Sequence, residues 1–253
     1  MKRLVKILLP ILIIIGWEAI SVFLIKNEFI LPRVESVVFI LMHPLQDILG
    51  CGSLAKSAVI SIKRVLIGFF IAALVAVPLG IGMGWSEKIH DFFYSIVELL
   101  RPVPPIAWIP LALAWFKIGL ASIAFIIFIG AFFPILLDTI HGVNGIRRTW
   151  VESAYTLGAN DRLILYKVVI PGAAPTIWTG LRVGFGIAWM CVVAAEMLPG
   201  TTSGLGYLIM YSYNWGMVDT IIAGMITIGL IGLAMDLVFR AVETRKFKWR
   251  RLV

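Results

Sequence analysis

Residues 105–137 form an apolar stretch of about 33 residues that one membrane-crossing helix cannot absorb. At 1.5 Å per residue it would extend some 50 Å, against a hydrocarbon core of roughly 30 Å. Even strong tilt does not close that gap. The stretch must break, and Lys117-Ile118-Gly119 is where a charge and a glycine permit it. Two spans result, 98–116 and 120–140. Four more apolar runs read the same way, at 4–25, 65–85, 176–199 and 219–242. The expected fold is therefore all-α, a single polytopic membrane domain over 1–253 with about six transmembrane helices. Composition agrees: 60% of the 253 residues are hydrophobic and 14% charged, with mean hydropathy +0.99. Soluble domains average about 25% charged residues.

The first run follows Lys2, Arg3 and Lys6 and is interrupted by Glu18. It is too long for the apolar core of a signal peptide, and no small-x-small cleavage site follows, so a retained anchor is expected. Residues 26–58 are mixed, broken by Pro32, Pro44 and Gly50-Cys51-Gly52, and an amphipathic stretch from Ser57 leads into the second span. The net charge of +8 does not point to nucleic acid, because the basic residues lie in short segments between spans. With the N-terminus inside, sixteen of the 22 Lys and Arg residues fall on the cytoplasmic side. The other six, Lys26, Arg33, Lys56, Lys63, Arg64 and Lys117, fall outside. That bias favours both termini in the cytoplasm. Only two cysteines occur, Cys51 in a loop and Cys191 inside an apolar span, so no disulfide framework or metal cluster is expected.

One of the few long interruptions, and one with internal grammar, is 147–175, RRTWVESAYTLGANDRLILYKVVIPGAAP, between the fourth and fifth spans. Thr149 or Trp150 opens a short helix, and Gly158 supplies the residue able to take positive φ where it stops. Asn160 and Asp161 are good caps for a second helix over 162–169, with Pro171 and Pro175 expected to close it. A helix–turn–helix this small cannot build its own core. At a membrane edge it looks like a surface made to be gripped by a partner.

The loop resembles the cytoplasmic coupling loop of permease subunits of type I ATP-binding-cassette importers. That pattern runs Glu-Ala-Ala, three residues, Gly, nine residues, Ile, any residue, Leu-Pro. Here it reads Glu152, Ser153, Ala154, then Gly158, then Val168, Ile170 and Pro171, with every interval kept. Ser153, Val168 and Ile170 are small departures in volume. RPVPPIAWIPLALAWFKIG, AFFPILLDTIHGV, GLRVGFGIAWMCVVAAEML and GLGYLI also resemble permeases for nitrate, sulfonate, taurine and bicarbonate. The resemblance implies a homodimer, two separate ATPases that bind the ATP and magnesium, and an extracytoplasmic substrate-binding protein. It implies that Glu152, Ser153, Ala154, Gly158, Ala159, Val168, Ile170 and Pro171 shape the ATPase contact, with Arg162 and Lys167 adding polar contacts. No cofactor is expected in this chain.

Ionisable groups at membrane depth are costly and draw a functional hypothesis. Asp236 and Arg240 stand at i, i+4 and suit an ion pair, and Asp138 lies near Thr139 and His141. Glu196 suits either a bond to backbone in the Gly-rich segment after it or a role at an outer gate. Trp108, Trp189, Met190 and Glu196 are candidates for the translocation path. His43, His90 and His141 lack metal-ligand spacing, and neither a GxSxG elbow nor a phosphate loop occurs, so catalysis is not expected. The alternatives are an ABC permease for another small solute and a secondary transporter, the latter supported neither by clustered intramembrane carboxylates nor by an internal repeat.

Overall fold

A computed structural model describes residues 2–25, 27–48 and 50–247. Lys26 and the basic tail residues Lys248, Arg250 and Arg251 lie outside the described residues. Helices account for nearly all regular structure there: α1 Lys2–Ala19, α2 Val34–Met42, α3 Leu54–Trp85, α4 Glu87–Leu100, α5 Ile109–Phe116, α6 Leu120–Asn144, α7 Arg148–Thr156, α8 Asp161–Ile164, α9 Ile170–Glu196, α10 Leu205–Asn214 and α11 Val218–Lys246. A π-helical turn, Ile20–Ile25, extends α1, and a second, Leu165–Val169, joins α8 to α9. Among the described residues, four helical segments are long and apolar enough to cross a bilayer: α3, α6, the continuous run Asp161–Glu196, and α11.

The contacts fall into two compact units, one containing residues 1–62 and 196–231, the other 63–195 and 232–253. In the first, α1 is tied to the connection into α2. Trp17 donates from Nε1 to the Pro32 carbonyl at 3.0 Å, and Ser21 donates to the Leu31 carbonyl at 2.9 Å. Glu18, the charge that interrupts the first apolar run, accepts from the Val34 N–H at 2.9 Å. A carboxylate at the start of α2 satisfies an orphan amide and meets the positive end of the helix dipole.

In the second unit, close helix approach depends on glycine. A Cβ built on Gly68, Gly80 or Gly84 of α3 would come within 2.6, 2.7 and 2.7 Å of Ile127, Thr139 and Val143 of α6. Each pair is separated by 59 residues, so α3 and α6 run parallel. Gly142, Gly180, Gly184 and Gly130 set α6 against α9 in the opposite sense, meeting Thr176, Asp138, Ile135 and Cys191. Small residues substitute for a hydrophobic drive that lipid cannot supply between helices. Phe69, Phe185 and Phe239 close the seam of α3, α9 and α11, with ring centroids 5.1 to 6.4 Å apart.

The parallel course of α3 and α6 has a topological consequence. The chain between Trp85 and Leu120 must travel back from one end of these helices to the other. It does so as α4, a 3₁₀ turn at Pro105–Trp108 and α5, with the two arms bent by 89°. The expected single helix over 98–116 is thus corrected to a broken crossing. Pro102, Pro104 and Pro105 remove amides that a continuous helix would need. Counting it as one crossing gives five.

At the next break, α5 ends at Phe116 and α6 begins at Leu120. Lys117 takes φ 59° and Gly119 φ 159° between them. The corresponding correction lies at α8. Pro171 and Pro175 do not terminate that helix, which continues to Glu196. The π-helical turn Leu165–Val169 widens the backbone just before Pro171, where an α-helix would clash with the ring.

Candidate functional site

The 147–175 segment projects from the second unit as α7, a tight turn and α8. Gly158 takes φ +82° at the turn, with nothing near the position a Cβ would occupy. Its N–H donates to the Tyr155 carbonyl at 2.9 Å, and the Ala159 N–H reaches the Ala154 carbonyl at 3.1 Å. Asn160 caps α8, its Oδ1 accepting from the Leu163 N–H at 2.9 Å. Across the turn Tyr155 donates its hydroxyl to Asp161 Oδ1 at 2.8 Å. That bond holds the phenolic proton and raises the Tyr155 pKa above its ordinary value of 10.0.

The loop borrows its core. Ile164 and Val169 are 0% and 1% exposed, clustered with Val143, Ala173 and Ile177 at the ends of α6 and α9. Ala154, Ala159 and Val168 pack partly against this cluster. The opposite face is open: Leu157 is 88% exposed and Tyr166 66%, with Leu163 and Tyr155 also outside. Glu152, Ser153, Gly158, Arg162, Lys167 and Pro171 are exposed, and Ile170 is half-buried. Ser153 spends its hydroxyl on the Thr149 carbonyl at 2.7 Å. The chemistry available is that of recognition: an apolar tip ringed by charge on a rigidly seated base.

The four path candidates differ in their local settings. Trp189 is 6% exposed, and Gly232 lies against its ring. Met190, the next residue, is 74% exposed. Trp108 lies in the 3₁₀ turn of the broken crossing, half-buried, its Nε1 enclosed without a hydrogen-bond partner. Glu196, 0% exposed, belongs to the first unit. Its Oε2 accepts from Ser61 Oγ at 2.7 Å and from the Gly206 N–H at 3.1 Å. Ser61 Oγ in turn accepts from the Leu205 N–H at 2.9 Å. Gly204, φ +108°, lies directly against the carboxylate, where any Cβ would collide. Glu196 therefore pins the start of α10 to α3. Ser61 was beyond sequence reasoning because 135 residues separate the partners.

Asp236 does pair with Arg240, at 2.7 Å, but a second cation was missed. Arg182 of α9 reaches Asp236 at 2.6 Å and Glu243 at 3.7 Å, joining α9 to α11.

Comparison with known proteins places this geometry. Residues 76–248 match the family model described as binding-protein-dependent transport system inner membrane component. A putative ABC transporter permease of Methanocaldococcus jannaschii is 56% identical over all of this chain and 94% of its own length. The taurine transport system permease protein TauC of Escherichia coli is 32% identical, over 95% of this chain and 87% of its own. Permeases named for aliphatic sulfonates, nitrate and bicarbonate are also similar. In fold, the chain is similar to an inward-facing MetNI methionine ABC transporter structure, with TM-score 0.59 and 21% identity over 75% of this chain and 95% of that one. The chain belongs to the family of inner membrane components of binding-protein-dependent transport systems, and it is the permease subunit of an ATP-binding-cassette importer rather than an enzyme.

Proposed function

We propose that two copies of this chain form the path for a small oxyanion or organosulfonate, and that the 147–175 loop is the handle by which separate ATPases drive it. The observation that carries the reading is the division of the loop into two faces. Ile164 and Val169 are locked onto the spans, while Leu157, Leu163 and Tyr166 stand uncovered. A lever needs a rigid base and a free grip. Glu152, Ser153, Ala154, Gly158 and Ala159 set the angle of the tip, and Arg162 supplies charge beside it. Val168, Ile170 and Pro171 carry movement of the tip directly into α9, because the helix is continuous through them.

ATP and magnesium are bound by the partner ATPases. An extracytoplasmic binding protein delivers the solute, and both termini face the cytoplasm, the orientation that the Lys and Arg bias favours. α1 supplies the sixth crossing. The oxyanion or sulfonate class follows the similarity to taurine, sulfonate, nitrate and bicarbonate permeases. Met190 and Trp108 are the path candidates that keep exposed or half-exposed surface in one chain, while Trp189 and Glu196 are buried in helix packing.

Co-purification tests the handle. Gly158→Pro forbids φ +82° and Glu152→Lys reverses a charge on α7; each is expected to release the ATPase and abolish ATP-dependent uptake. Normal ATPase retention and normal transport by both variants would refute the assignment.

A further inference from the structure

We infer that the second unit carries a site for an anionic phospholipid at the foot of α9 and α11. A cavity of about 680 Å³ opens there. Its wall is aromatic and aliphatic, from Trp150, Trp178, Val242 and Phe247, and Lys167 and Lys246 stand on its lining. That volume lies in the range of small-molecule sites, whose walls are mostly apolar with a few placed polar groups.

Charge decides the kind of occupant. The lining contains two lysines and no carboxylate. Glu243, the nearby acid on α11, is turned to Arg182 at 3.7 Å. Arg147 sits over the Trp150 ring at 5.8 Å and adds a third cation near the cavity. The occupant must therefore be an anion with a large apolar part.

Position decides its source. Trp178 and Val242 stand at the ends of the expected spans 176–199 and 219–242, and Trp178 Nε1 donates to the Phe239 carbonyl of α11 at 3.0 Å. Lys246 ends α11, and Lys167 precedes the α9 crossing. The cavity thus lies at the membrane boundary, with Trp178 and Val242 on the side of the spans and Lys167 and Lys246 on the side of the loop and the end of α11. A lipid has that polarity, with acyl chain along Trp178 and Val242 and phosphate at Lys167 and Lys246. Basic cavities between membrane helices hold acidic headgroups in this way. Lys167 then serves the lipid, while the ATPase contact belongs to the tip. The proposal rests on the preceding reading only for the leaflet, the cytoplasmic one.

Lipid binding to the purified full chain in detergent tests this without reference to transport or orientation. The probes are phosphatidylglycerol, phosphatidylcholine with the same acyl chains, and glycerol phosphate as a headgroup alone, read by native mass spectrometry. Phosphatidylglycerol is expected to bind most tightly. Lys167→Ala with Lys246→Ala should weaken it about 30-fold, from the usual contribution of each surface lysine to acidic-lipid binding. Val242→Trp should weaken it with no change of charge, and Lys88→Ala, on exposed α4 surface, should not. Equal binding of phosphatidylcholine, or full affinity in the double lysine variant, would overturn the site. Full affinity in Val242→Trp would place the lipid outside the cavity and overturn it too. Tight binding of glycerol phosphate would identify a soluble-anion site instead. Loss of the lipid on adding the ATPase would assign the cavity to that partner, against the proposal.

Discussion

Removing the Glu196 carboxylate is the sharpest perturbation the structure offers. Glu196→Ala strands, among its partners, the Ser61 hydroxyl and the Gly206 N–H in a fully buried space. An abandoned buried donor costs about 1–3 kcal/mol. The hydroxyl can rotate toward another acceptor, whereas the amide cannot, so the sum is about 3 kcal/mol. Glu196→Gln keeps an acceptor oxygen for the same donors and should cost about 1 kcal/mol. Hydrogen bonds between membrane helices average about 0.6 kcal/mol in double-mutant cycles and reach about 1.7. The Ser61–Glu196 coupling should fall at the top of that range, because the site is enclosed and the acceptor is a carboxyl group. The assay is reversible unfolding by sodium dodecyl sulfate in bicelles for the wild type, Ser61→Ala, Glu196→Ala and the double variant. A Glu196→Ala cost below about 0.5 kcal/mol, or additive single variants, would refute the claim that this carboxyl group organises the start of α10.

Three further outcomes follow from other parts of the molecule. Gly84→Leu should lower thermal stability far more than Gly229→Leu, because Val143 lies 2.7 Å from the Cβ position of the first and nothing lies within 4 Å of the second; comparable melting temperatures would contradict the helix pairing. Arg182→Ala should destabilise more than Arg240→Ala in a melting experiment, since Arg182 is 26% exposed and ties two helices, while Arg240 is 59% exposed on its own helix; the reverse order would show that the α9–α11 tie is unimportant. Tyr155 should titrate above pH 10 by ultraviolet absorbance, and Asp161→Asn should return it toward its ordinary value. The folded pKa is the raised one, so the Tyr155–Asp161 bond contributes fully below pH 10 and is lost as pH rises through the raised value; an unshifted titration difference between wild type and variant would remove it.

Much of the fold was legible in the chain itself. The excess length of the 105–137 run demanded a break, and Lys117 and Gly119 occupy it. The helix–turn–helix loop was likewise legible, because Gly158 and the Asn160 cap act within a few residues of themselves. The break at 101–105 was not anticipated, although Pro102, Pro104 and Pro105 stand there. Proline states which hydrogen bonds are absent; the 89° bend depends on what α4 and α5 pack against. Pro171 and Pro175 misled for the same reason. A local rule says a helix stops there, and a π-helical turn lets it continue.

Sequence by itself determined that this chain is a polytopic helical membrane protein and that a helix–turn–helix interrupts its apolar runs after Arg147. Hydropathy, charge and turn chemistry are properties of adjacent residues, and hydrocarbon leaves an unpaired backbone few options other than helix. Only the tertiary structure decided that Gly68, Gly80 and Gly84 face Ile127, Thr139 and Val143, that Ser61 meets Glu196, and that Arg182 joins Asp236. These contacts link residues 54 to 135 positions apart, and their partners are chosen by side-chain shape and the direction of whole helices, which no local pattern encodes.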